Sequence, residues 1–148
     1  MSKAEFFVTP GYGERQLRLF HYSQAVKVGD RLEISGQGGW NDDWEFPESI
    51  KEEIAQAFRN VERTLAVAGA GWGHVIHVNS YHVGLDEETN RVMTEQFRHY
   101  MPALAHVQTA VGPFALEQNV QPLALQRVEW MGDHQRTGRR PVRRRIMR

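Results

Sequence analysis

The chain reads as an α/β (α+β) domain built on a mixed sheet with two helices on one face. Three observations lead there. His21 to Gly39 alternates apolar and polar residues around Gly29-Asp30, the pattern of a tight hairpin, and ends in the glycine-rich bend Ser35-Gly36-Gln37-Gly38-Gly39. Ser49 to Ala68 and Glu87 to Tyr100 repeat apolar residues at helical spacing. Each helical stretch is followed by a strand-like one, and the order hairpin, helix, strand, helix, strand, strand makes two βαβ-like passages with both helices on the same side. The other face, bare in a monomer, needs a partner, so an oligomer is expected.

The elements follow in chain order. Residues 1 to 16 contain Pro10-Gly11-Tyr12-Gly13 and are expected to be a loop. Gly11 and Gly13 lack a preceding strand, a third glycine and a following helix, and no GxxxxGK[ST] run occurs, so no nucleotide cofactor is expected. Leu17 and Leu19, flanking Arg18, suggest a short first strand running into Tyr22. The hairpin carries Val26 and Val28 on one arm and Leu32 and Ile34 on the other. The glycines after it let backbone N–H groups approach a ligand closely. Trp40 to Pro47 is an acidic and aromatic loop, a candidate pocket lid whose tryptophans are expected first as packing anchors. Its Asp42 and Asp43 lack the spaced oxygens of a calcium loop.

Ser49 and Glu52 form a capping box for the first predicted helix, Ile50, Ile54, Phe58, Val61 and Leu65 make its buried stripe, and Gly69 ends it. Val75 to Val83 is a strand with Ile76, Val78, Ser80 and His82 on one side and His77, Asn79 and Tyr81 on the other. His77 and His82 therefore cannot share a metal ion, and no metal site is expected. Asp86 caps the second predicted helix, whose stripe is Val92, Met93, Phe97 and Tyr100 and which Pro102 ends. Thr109 to Phe114 and Leu123 to Trp130 complete the strands.

At 148 residues and 41% hydrophobic content, the chain is long enough for one core and too short for two. No long apolar run and no signal-like start occur, so neither membrane span nor export is expected, and a cytoplasmic location is. The absence of cysteine excludes disulfides, a thiol nucleophile and thiolate metal sites. The formal net charge of zero conceals an uneven distribution. Seven of the 18 basic residues are arginines in Gln135 to Arg148, which holds no acid, leaving 11 basic against 18 acidic residues and a net charge of −7 elsewhere. Residues 1–134 are expected to be one domain and 135–148 a basic, flexible tail. Only the tail would attract nucleic acid.

Tyr22-Ser23-Gln24-Ala25-Val26, Val28-Gly29 and Ile34-Ser35-Gly36-Gln37 resemble the signature of the Rid or YjgF family, the reactive intermediate deaminases, and Asn90-Arg91-Val92 with Phe97 resemble its second helix. The resemblance covers roughly residues 15 to 130. It implies a chorismate-mutase-like (YjgF-like) fold, a homotrimer with an intersubunit active site, and hydrolysis of enamines and imines such as 2-aminoacrylate. Some members are described as ribonucleases.

The chain departs from that pattern in three places. The family's arginine at the start of the penultimate strand is replaced by Gln108, or by Leu104 in another register. Its glutamate on the last strand falls on Leu123, with Leu125 as the other candidate, and its proline before the tyrosine is His21. Arginine pairs a substrate carboxylate through two charge-assisted hydrogen bonds, whereas Gln108 donates and accepts without neutralising charge. The resemblance and its departures thus imply an enzyme acting on a small imine, enamine or carbonyl intermediate, neutral rather than carboxylate. The reaction would be hydrolysis and deamination, or a related proton-transfer, cyclisation or C–C cleavage step. Tyr22 and His106 are the candidate catalytic residues, His106 because imidazole titrates near neutral pH. His21, Gly36, Gln37, Trp40, Gln108, Thr109 and Ala110 are the candidate substrate-binding residues, with backbone donors near Gly36 and Ala110 able to polarise a carbonyl or imine. Glu117 and Glu129 could stand in for the lost glutamate. The alternatives are a non-catalytic trimer that binds a small molecule, and a ribonuclease or RNA-binding protein.

Overall fold

The structure, a computed structural model, describes residues 3–103, 107–111 and 124–131. In chain order its elements are β1 (Glu5–Phe7), α1 (Tyr12–Phe20), β2 (Ala25–Val28), β3 (Arg31–Ile34), α2 (Ile50–Val67), β4 (Val75–Tyr81), α3 (Glu87–Tyr100), β5 (Val107–Val111) and β6 (Ala124–Met131). The strands form one mixed sheet in the order β1-β2-β3-β6-β4-β5. Among the described strand pairs, only β4 and β5 run parallel.

The hairpin forms where the alternation places it. Val28 pairs with Arg31 across Gly29-Asp30, and Gly29 has φ 62°, a conformation that glycine supplies without a Cβ clash. Leu32 and Ile34 are buried, while Arg31 and Glu33, ion-paired at 2.9 Å, alternate onto the open face.

Both long helices also begin at their predicted caps. Ser49 Oγ accepts from the Glu52 N–H at 3.2 Å and Asp86 Oδ1 from the Thr89 N–H at 2.8 Å. Gly69, with φ 75°, follows the end of α2. Ile54, Phe58, Val61 and Leu65 of α2 join Val92, Met93 and Phe97 of α3 over Leu32, Ile34, Val75 and Val78 of the sheet. Phe58 stacks on Trp72 with ring centroids 5.0 Å apart, and Phe97 meets it edge-on at the same distance.

The first twenty residues differ from expectation. Residues 12–20, read from sequence as part loop and part short strand, form α1, and the first strand is β1, farther toward the N-terminus. The described helices are therefore three, not two. Leu17 and Leu19 suggested a strand, yet both are exposed; the buried residues of α1 are Tyr12, Gly13 and Gln16. Tyr12 and Gln16 sit four apart, one helical turn, but the buried polar Gln16 hides that period.

A second correction lies in β4. Val78, Ser80 and the following His82 are buried, as their shared parity requires, but Ile76 is 38% exposed. An irregularity between Val75 and His77 breaks the alternation there. His77 and His82 do occupy opposite environments: His77 Nε2 lies 3.1 Å from Asn79 Oδ1, and buried His82 Nε2 lies 2.9 Å from Ser80 Oγ. No helix of the described residues is long and apolar enough to cross a membrane. Among the same residues, no group of three or more His, Asp or Glu is placed to hold a metal ion. The tail, 135–148, lies outside them.

Candidate functional site

Strand pairing builds the floor of a groove on the open face of the sheet. Phe6 of β1 pairs with Val26 of β2, which pairs with Glu33 of β3, so these three side chains stand in one cross-strand row. The C-terminal part of α1 and the segment after it supply the wall. Phe6, Leu17, His21, Tyr22, Val26, Glu33 and Ser35 are among the residues that enclose an open groove of about 670 Å³. Its body is apolar and its polar side chains are a phenol, two serine hydroxyls, an imidazole and a carboxylate. No lysine or arginine is among the described residues that line it.

Two candidates, His21 and Tyr22, thus fall together in this groove. Burial, and then the nearby Tyr12, push the Tyr22 phenol above its usual value. It stays protonated at neutral pH, a hydrogen-bond donor rather than a base. His21 caps α1 in the left-handed conformation, φ 58°, and its N–H donates to the Leu17 carbonyl at 3.0 Å. Proline, locked near φ −65° and without an N–H, cannot occupy that position. The backbone here therefore does not admit the family's proline.

The glycine bend is organised from inside. Gln37 is fully buried, accepting from the Tyr12 hydroxyl at 2.8 Å and donating from Nε2 to Ser35 O and Ser35 Oγ, both at 3.1 Å. Tyr12 Oη also lies 3.2 Å from Thr64 Oγ1, which contacts Thr9 Oγ1 at 2.8 Å. Asn60 Nδ2 donates to Gly38 O and Trp40 O. Gly36, half-buried, follows Ser35 along the bend. Gly39 lies against Glu53, where a Cβ would collide with backbone.

Trp40 stacks on Trp44 at 5.3 Å, nearly parallel, and meets Tyr12 and Phe46 edge-on. These rings anchor the loop that follows the bend, as expected of its tryptophans. Asp42 of the same loop accepts from the Tyr12 N–H and from Arg63 Nη2, at 3.2 and 2.9 Å. Partial burial pushes its carboxyl up, but Arg63 and the Tyr12 amide outweigh that and hold it below the usual carboxylate range.

Gln108, Thr109 and Ala110 are on β5, in register with Val78, Asn79 and Ser80; Gln108 is exposed. Four strand spacings of about 4.8 Å separate β2 from β5, roughly 19 Å, so one protomer does not bring Gln108 to Tyr22. His106, Leu104, Glu117 and Leu123 lie outside the described residues. Leu125 of β6 is in register with Ser80, and Glu129 with both Glu33 and His77. Sequence reasoning missed Glu33, Phe6 and Leu17 as groove residues. For Glu33 a signal existed: it lies between Leu32 and Ile34 and so alternates onto the face those residues leave open.

A six-stranded mixed sheet with α2 and α3 packed on one face, and an apolar groove walled by the end of α1, defines a small α/β protein. The family model for Endoribonuclease L-PSP matches residues 14–121, and the chain belongs to that family, the Rid or YjgF family its hairpin resembles. It is 34% identical over 73 residues to the RutC family protein YjgH of Escherichia coli (strain K12), covering 49% of this chain and 56% of that protein. It is also 34% identical over 96 residues to 2-iminobutanoate/2-iminopropanoate deaminase of Dermatophagoides farinae, covering 62% and 75%. The solved structure "Structural Genomics, Protein YJGH" superposes with a TM-score of 0.72 at 24% identity, covering 88% of this chain and 97% of that one.

Proposed function

We propose that the chain is an enzyme that works as a homotrimer on a small, neutral imine, enamine or carbonyl compound bound beside Tyr22. The observation that carries this reading is the groove itself: apolar walls, hydroxyl-bearing Tyr22, Ser23 and Ser35, and no lysine or arginine among its described lining residues. A substrate carboxylate would find no guanidinium there, whereas an imine nitrogen or carbonyl oxygen would find donors.

In the hydrolytic form of the reaction, Tyr22 donates to the imine nitrogen and raises the electrophilicity of its carbon. Water adds to that carbon, its proton passes to nitrogen, and the C–N bond of the carbinolamine breaks to leave a carbonyl and ammonia. Gln108 enters this site only from a second copy, whose β5 edge would lie against the groove of the first. That requirement supports a site shared between protomers. Residues 1–134 then form the one cytoplasmic domain, with the basic tail 135–148 apart from the site.

Ammonia and carbonyl release from enamines generated in situ tests this reading. Acceleration of neutral imines above that of 2-aminoacrylate is expected. Preference for the acidic substrate would overturn the neutral-substrate reading, and saturable binding without product would leave a binding trimer instead.

A further inference from the structure

The uneven charge of the sequence has a counterpart on the surface. Asp42 to Glu53 holds six acids and one lysine, a net charge of −5 out of the −7 carried outside the tail. Glu53 is buried, but Asp42, Asp43, Glu45, Glu48 and Glu52 are all exposed. Asp42 is engaged by Arg63, and Arg15 donates to the Asp43 carbonyl at 3.5 Å. The carboxylates of Asp43, Glu48 and Glu52 have no ion pair among the described residues. Beside them runs an aromatic stack, with Phe20 against Trp44 at 5.9 Å, Trp44 on Trp40, and Trp40 against Phe46 at 6.2 Å. Phe20 is exposed, and Trp44 and Phe46 are half-buried. The buried indole N–H groups of Trp40 and Trp44 meet no acceptor among the described residues, although buried donors are seldom left unpaired. Asn41 holds the loop in this shape, its Oδ1 accepting from the Asp43 and Glu45 N–H groups, both at 2.9 Å.

We infer that this acidic and aromatic face is the docking site of the chain's own tail, residues 135–148. The tail is its chemical complement, with seven arginines and no acid. A guanidinium suits both parts of the face, because its planar fork pairs a carboxylate through two hydrogen bonds and its flat surface stacks on an indole. A peptide also brings backbone carbonyls, the acceptors that indole N–H groups need. The tail is long enough to arrive. Met131 pairs with Arg31 on the neighbouring strand, about 5 Å away. From Arg31 to Trp44 the chain advances 13 residues and spans at most roughly 44 Å, whereas from Met131 to Arg148 it advances 17 and spans up to roughly 58 Å. Docking there does not depend on what the groove binds. Nucleic acid also attracts arginine but is repelled by these carboxylates, so the face and nucleic acid compete for the tail.

Indole N–H resonances of the full chain report docking, with Trp72, stacked in the core on Phe58, as the internal control. Replacing the seven tail arginines by glutamine should shift the Trp40 and Trp44 signals and leave Trp72 in place. Raising NaCl to about 1 M should move the wild-type signals toward the same positions, because salt at that strength screens charges beyond about 3 Å. The salt comparison uses the unmodified chain, so it decides even where a variant fails to fold. A synthetic peptide of residues 135–148, added to the glutamine variant, should restore the wild-type signals. Asp43→Asn, Glu48→Gln and Glu52→Gln together should weaken that peptide about tenfold, and lysine in place of every peptide arginine should weaken it about threefold. Trp40 and Trp44 signals that respond neither to the tail arginines nor to salt would overturn the proposal. So would a peptide affinity unmoved by loss of the three carboxylates, which would put the tail elsewhere, and so would a lysine peptide that binds equally well, which would reduce the contact to diffuse charge.

Discussion

At the scale of single residues, the proposed chemistry rests on the contrast between Tyr22 and Tyr12. Both phenols are pushed up by burial, but Tyr22 faces the groove and Tyr12 the interior. Replacing Tyr22 by Phe removes the donor without changing the ring. It should lower turnover by about 10²-fold, the scale of one preorganised hydrogen-bond donor, with the oligomeric state unchanged by light scattering; unchanged turnover would remove Tyr22 from the mechanism. Glu53 offers a stability test away from the site. It is buried against Gly39 and its Oε1 has no hydrogen-bond partner. Burial raises its carboxyl pKa, so the stability linked to its protonated form is present below the usual carboxylate range and lost as pH rises through the folded value. Glu53→Gln should therefore raise the urea midpoint at pH 7, with the difference shrinking toward pH 4. Tyr22 and the glycine bend were legible in the sequence because they sit in a contiguous motif. The Tyr12–Gln37 bond was not, because nothing local announces a partner 25 residues away.

At the scale of elements, the caps and stripes of α2 and α3 were legible because their buried residues are apolar at helical spacing. Helix α1 was not, because its inward face is Tyr12 and Gln16 while Leu19 and Phe20 face outward, each 58% exposed. Its start depends on a distant residue: no side chain caps it locally, and Asp42 meets the first N–H. Asp42→Ala should cost about 0.5–2 kcal/mol, the range of a lost helix cap, and speed amide exchange over residues 12–16. Unchanged exchange would show that Arg63, stacked 4.9 Å over the Tyr12 ring, holds the helix without Asp42.

For the whole molecule, the sheet has one face packed under α2 and α3 and another that carries the groove. His82 belongs to the packed face. Its burial lowers the imidazole pKa, so the folded state resists a proton that the unfolded chain takes up below about pH 6.5. Stability should fall as pH drops through that window, and His82→Phe should flatten the dependence in urea melts at pH 5 to 7. The groove face was legible only in outline. The order of helices and strands implied that one face lacked helices, but the strand order that sets β2 and β5 four strands apart is a property of pairing, which no local pattern carries. That separation is the reason we propose a shared site, and complementation tests it directly. Two variants, Tyr22→Phe and Gln108→Leu, are co-expressed and the ammonia release of the mixture is compared with each alone. A site built from two copies predicts that mixed oligomers regain about a quarter of wild-type turnover, the share of junctions that join an intact Tyr22 to an intact Gln108. Turnover no higher than the average of the two variants would contradict it and return the site to a single protomer.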